Sequence, residues 1–211
     1  LPGQTAPSAP DPAPLDELRG LARFAAEIYD VDVTAILASA VTETPGEPPI
    51  TFDTHPAYTL AHFLALAARA ADRPLPDLAL DRGWLESLLP HTPVAGNVAK
   101  QVAFRLYQHI PLVWSALPWL DGIAQEWRLR LARYAESAAL AASDEEMQRI
   151  WSMARFPAFW PNGVTILRLD AAPAATREPN KLLPILAARR CPVIELAAPG
   201  STPVEYAVHY L

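Results

Sequence analysis

Ser115 lies near the end of an apolar run, IPLVWSA, and Asp121 stands six residues later at the entrance to a long helical stretch. A serine hydroxyl and backbone N–H groups at a helix entrance suit an anion such as a phosphate. Asp121 can equally cap that helix, and both readings stand. A second segment, APGSTP, sets Gly200, Ser201 and Thr202 before another helix, as a ligand loop or as a turn with an N-cap. His55 lies beside Thr54 in FDTHPAY, just ahead of a third helix, as a binding residue or a solvated loop histidine. Proton transfer between neighbouring carbons needs a carboxylate or histidine within reach of both. Glu136 can supply it, although Arg130 and Arg133 also fit a surface charge pattern with it.

Other chemistries find less support. No phosphate-binding P-loop, dinucleotide GxGxxG or nucleophile-elbow GxSxG motif occurs. The five histidines show no metal-ligand spacing, and no cofactor is expected. Cys191 is the sole cysteine, which excludes an internal disulfide; its place before a strand suits a buried structural thiol. RIWSMARFPAFWPNG reads as a packing loop under the sheet edge or as an aromatic sugar platform.

The elements that must position these residues alternate. Helical spacing runs through 16–29, with Leu18, Leu21, Ala25 and Ile28 on one face. VDVTAILASAV (31–41) reads as a buried strand, and ITFD (50–53) as a short one. Three helices follow, in HPAYTLAHFLALAARAAD, LDRGWLESLL and 97–108. IPLVWSA is a strand buried on both faces. A long helix is expected over 120–142, with Ile123, Trp127, Leu131, Tyr134 and Ala138 on one side. Ser143 with Glu146 forms a capping box for the next helix. Strands at 163–170 and 192–200 flank a helix at 176–190, and STPVEYAVHYL begins a last helix. Such alternation implies a parallel sheet covered on both faces. In open sheets of this kind ligands bind beyond the carboxyl ends of strands.

The bulk numbers agree with a globular α/β protein. Of 211 residues, 51% are hydrophobic and 19% charged, enough to build a substantial core. The net charge of −6, with no dense Lys/Arg block, argues against nucleic acid and anionic membranes as partners. The longest apolar stretch, 60–71, is broken by His62 and Arg69 and is too short to span a bilayer, so a cytoplasmic location is expected. The chain opens on Leu1 without Met and stops inside VEYAVHYL, which suggests a segment of a longer product.

NVAKQVAFRLYQHIPLVW resembles the Asn-x-Ala-Lys helix and Ile-Pro-Val strand of SIS-fold phosphosugar isomerases, through Asn97, Ala99, Lys100, Ala103, Ile110 and Pro111. The bifunctional phosphoglucose/phosphomannose isomerase branch is the most similar. Trp127 matches the tryptophan of an Arg-Trp pair in that branch. DTHPAYTLAHFLA resembles its interdomain helix, and RRCPVIELAAPGSTPVEYAV its last strand, glycine loop and helix. The resemblance covers roughly 31–211. Its departures are specific. The Gly-Met-Gly-Gly-Ser and Ser-Gly-Asn-Thr loops that hold the sugar phosphate are absent. Glu126 stands where the Arg of Arg-Trp belongs, and Ala57 replaces the interdomain arginine. Ungapped alignment puts Arg133 at the catalytic Glu, and a shift of three brings in Glu136. The segment 156–163 has no histidine where a His-Asn-Glu run is expected.

The resemblance implies a three-layer αβα, SIS-like (flavodoxin-like) parallel sheet with its second subdomain complete and its first incomplete. It divides the chain into a Pro-rich linker (1–14), a remainder of the first subdomain (15–55), a helical connection (56–94) and the second subdomain (95–211). It implies a homodimer that binds a hexose 6-phosphate, for which the local patterns offer Ser115, His55, Thr54 and Ser201 as binding residues. Aldose–ketose isomerisation would then fall to Glu136 as base, with most other catalytic residues not retained. The alternative is a catalytically silent scaffold or a regulatory, subunit-contacting domain.

Overall fold

A computed structural model describes residues 13–41, 55–77, 80–153, 163–171 and 180–211. Among the described residues, four strands form one parallel sheet in the order β2-β1-β3-β4. They are β1 (Ile110–Ser115), β2 (Leu140–Ala142), β3 (Val164–Asp170) and β4 (Val193–Ala197). Register runs through Leu112↔Leu140 and Trp114↔Ala142 on one side of β1, and through Leu112↔Ile166 on the other. Leu167↔Ile194 joins β3 to β4. Every residue of β3 is buried, as in a strand covered on both faces.

Period-two alternation splits the core into two layers. Val113, Leu167, Leu169, Ile194 and Leu196 face one set of helices. These are α1 (Ala13–Tyr29), α2 (Val33–Val41), α3 (Pro56–Ala70), α5 (Val98–Leu106), α6 (Asp121–Tyr134) and α9 (Pro203–Tyr210). Leu112, Trp114, Val164 and Ile166 face α7 (Asp144–Met153) and α8 (Leu182–Ala188). The short α4 (Arg82–Ser87) is tied to α9: the Trp84 indole N–H donates to the His209 carbonyl at 3.3 Å. The result is the expected three-layer αβα fold.

Residues 31–41 do not form the expected strand. Asp32 accepts the Thr34 N–H at 2.8 Å and starts α2. Ile36 is buried, while Val33, Leu37 and Ala40 pack partly against the same core, which is helical spacing. A short apolar run cannot be assigned from periodicity alone, and the neighbouring helices α1 and α3 decide it. ITFD lies outside the described residues.

The long helix is also shorter than expected. α6 ends at Tyr134, and Glu136 adopts a left-handed backbone, φ 48°. The Ala135 and Ser137 N–H groups both return to the Leu131 carbonyl, at 3.1 and 3.4 Å. This is a helix stop with Glu136 at the position where glycine is usual. The released chain forms β2 on the sheet edge, and Tyr134 and Ala138 are exposed rather than packed. The Ser143–Glu146 capping box forms as expected, with N–H···O distances of 2.8 and 3.2 Å.

Candidate functional site

The chain reverses after β1 through a turn of 3-10 helix, Pro118–Leu120, which delivers Asp121 as the first residue of α6. Leu120, at the N-cap position, makes no side-chain cap. Asp121 therefore does not cap its helix. Its carboxylate accepts the hydroxyl hydrogen of Ser115 in a short contact, and Ser115 Oγ lies 3.4 Å from the Ala142 carbonyl. Ser115 is fully buried.

Beside this pair opens a cavity of about 510 Å³, at the carboxyl ends of β1 and β2 and between α1, α6 and α7. Two glycines bring its walls together. A Cβ on Gly20 would stand 2.8 Å from the Gly122 carbonyl oxygen, and one on Gly122 would collide with the Gly20 carbonyl oxygen. Only hydrogen at both positions lets α1 cross α6 this closely.

The crossing carries Arg19 and Arg23 of α1 to the cavity, where Arg128 of α6 and Arg149 of α7 join them. Asp121, Glu145 and Glu146 also line it. Several of these charges have local partners. Arg23 pairs with Glu27 at 3.0 Å, Arg149 with Glu145 at 2.7 Å, and Arg128 meets Gln125 at 3.0 Å. Burial pushes the Asp121 carboxyl above the usual range; the Ser115 hydroxyl and Arg23 pull it back in part, while Glu27 and Glu146 add to the rise.

Such a site can hold an anion with hydroxyl groups: guanidinium groups for the charge and carboxylates for the hydroxyls. Among the described residues, no histidine lines it.

Among the described residues, Ser115 is the one expected site residue at this cavity. Glu136 sits beyond the opposite end of α6, exposed, and 14 helical residues set it roughly 20 Å from the entrance. His55 caps α3, its Nδ1 accepting the Ala57 N–H at 3.3 Å. Ser201 gives its N–H and hydroxyl to Glu205, each at 2.7 Å, within the cap of α9. Thr54 lies outside the described residues, as does most of the aromatic segment after Trp151. Cys191 is buried, and burial raises its thiol pKa, as suits a structural cysteine. No group of metal ligands occurs among the described residues.

The sequence reading missed the four arginines, because α1, α6 and α7 meet only in the fold. Arg19 and Arg23, one helical turn apart, were the available signal. It also missed His209. The Asp81 N–H donates to His209 Nε2 at 2.8 Å, so Nδ1 carries the proton and faces the Glu205 carbonyl at 2.8 Å. That histidine joins α9 to the start of α4 and is structural.

The resemblance motif is structural too. Asn97 caps α5 by accepting the Lys100 N–H at 2.9 Å and donates to the Leu89 carbonyl at 3.1 Å. Lys100 Nζ donates to the carbonyls of Pro90 and Thr92. Glu126, where an arginine was expected, is buried and pairs with Arg130 at 2.6 Å.

The fold has a solved counterpart. A glucose-6-phosphate isomerase like protein from Thermus thermophilus superposes with a TM-score of 0.53 at 20% identity. The match covers 79% of this chain and 57% of that one, so this chain spans little more than half the length of its structural neighbour. At this identity the likeness shows the fold. The sequence matches no family model and no curated protein.

Proposed function

We propose that this chain is a divergent SIS-fold protein that binds a hexose 6-phosphate in the cavity beside Ser115, with the catalytic residues of a sugar isomerase largely not retained. The observation that carries the reading is the cavity itself. It lies at the carboxyl ends of two strands of an isomerase-like fold, with four arginines and a buried serine in its walls. Aldose–ketose isomerisation would need a base at the sugar carbons. The described carboxylates that line the cavity are Asp121, Glu145 and Glu146, each with a local partner, and Glu136 stands at the other end of α6. Binding without turnover fits this arrangement better than catalysis.

The division of the chain at 94/95 belongs to the same reading, since all four described strands fall within 110–197. So do a homodimer and a cytoplasmic location. Exposed Phe104, Tyr107 and Ile110 offer an apolar contact surface for the former. For the latter, no described helix is long and apolar enough to cross a membrane. The second reading, a silent scaffold without a sugar site, is favoured by the local partners that the cavity charges already have.

A thermal-shift titration with glucose 6-phosphate, fructose 6-phosphate and mannose 6-phosphate, with sulfate as control, separates the two. A ligand that binds only the folded form raises the melting temperature as its concentration passes its dissociation constant. A rise with a sugar phosphate beyond that with sulfate is expected. Equal rises, or none, would leave the scaffold reading.

A further inference from the structure

Among the described residues, Asp121 is one of several charged groups gathered at the cavity wall. From α1 come Arg19, Arg23 and Glu27; from α6, Arg128; from α7, Glu145, Glu146 and Arg149. Across it, β1 offers the neutral Ser115, and α2 lines the cavity only with Val33. Among the described residues, with Asp121, four carboxylates face four guanidinium groups. Three of those carboxylates are committed: Glu27 to Arg23, Glu145 to Arg149, and Glu146 to the Ser143 N–H. Asp121 accepts the Ser115 hydroxyl, feels the Arg23 charge that Glu27 also shares, and is half-buried at the cavity wall. An entering anion would meet its negative charge at close range.

We propose that an anion entering this cavity is bound together with a proton, which the Asp121 carboxylate takes up. The proton comes from solvent and rests on a carboxyl oxygen of Asp121. The carboxyl then donates to Ser115 Oγ instead of accepting from it. The serine hydrogen turns to the Ala142 carbonyl, 3.4 Å from Oγ, and the described groups around the cavity carry one excess positive charge for the anion. The direction of the Asp121 shift fits this, because burial already favours the neutral form. The inference rests on the cavity being an anion site, and it adds the linkage that regulates that site.

The test is isothermal titration with sulfate and glucose 6-sulfate, probes that do not titrate between about pH 5 and about pH 8, unlike a phosphate monoester. Each titration is repeated in buffers of different ionisation enthalpy, which counts protons taken up. The anion raises the Asp121 pKa further, so affinity must rise as pH falls between the free and bound values, by at most about tenfold per pH unit. Up to one proton is taken up per anion in the wild type. In Asp121→Asn the uptake disappears and affinity near neutral pH rises about tenfold, because the like charge is gone. Binding without proton uptake, or uptake that persists in Asp121→Asn, overturns the linkage and leaves the cavity as a binding site. Failure of both probes to bind at any pH overturns the cavity reading as well. Should Asp121→Asn not fold, the wild-type proton count decides alone.

Discussion

Tyr210 shows how much one side chain holds in this fold. Its hydroxyl accepts the N–H groups of Asp170 and Ala198, at 2.9 and 3.3 Å, and reaches the carbonyls of Leu196, at 2.6 Å, and Asp170. These groups end β3 and β4, so the phenol closes the sheet next to the ligand edge. Its own carbonyl accepts the Trp127 indole N–H at 2.9 Å. Tyr210→Phe strands buried backbone groups and is expected to cost about 1–3 kcal/mol in urea unfolding. A change under about 0.5 kcal/mol would mean that water replaces the hydroxyl. Asp121 makes a prediction of opposite kind. Its pKa is raised in the folded protein, so its contribution to stability is present below the unfolded pKa and lost as pH rises through the folded one. Melting curves of Asp121→Asn against the wild type should therefore diverge in favour of the variant as pH rises from acid to neutral. Parallel curves would show that the carboxyl is as well solvated folded as unfolded. Neither role could be read from sequence. Ser115 was legible because it ends an apolar strand, whereas the partner of its hydroxyl depends on how the following turn folds.

At the scale of elements, sequence was informative wherever a local code sets the structure. Capping boxes at Ser143 and Thr202, the cap at Asn97 and the apolar period of α3 are all local, and each element forms where expected. The failures came where packing overrides a weak local preference. VTAILASAV becomes helix because α1 and α3 offer a groove for it, and α6 stops early although no glycine marks its end. That stop is testable. Glu136 holds a backbone conformation that costs a non-glycine residue about 1 kcal/mol. Glu136→Gly should stabilise the protein by up to about that amount and leave ligand binding unchanged, as measured by denaturation and titration. Loss of sugar-phosphate turnover in this variant would instead return Glu136 to a catalytic role. The α1–α6 crossing behaves in the opposite way. Gly122→Ala puts a methyl group into the Gly20 carbonyl, and the helices must part. About 1–3 kcal/mol of stability should be lost. Anion binding should weaken with it, since the crossing sets Arg19 and Arg23 against α6. Retained stability would show that the two helices slide apart without strain.

At the scale of the molecule, the described residues build one αβα sandwich with a charged cavity at the strand ends, where an open parallel sheet places a ligand. The layer order was legible from the alternation of strands and helices. The cavity was legible only as one turn, because its four arginines come from three helices that meet only in the fold. The account therefore stands or falls on whether those guanidinium groups act together on a sugar phosphate. Arg23 is the most direct probe: it lies on the cavity wall, and it pairs with an exposed glutamate one helical turn away. Isothermal titration of glucose 6-phosphate into the wild type and into Arg23→Glu makes the comparison. Saturable binding at one site in the wild type and a loss of at least about tenfold in the variant are expected. Undiminished binding in Arg23→Glu, or no saturable binding in the wild type, would contradict the sugar-phosphate reading.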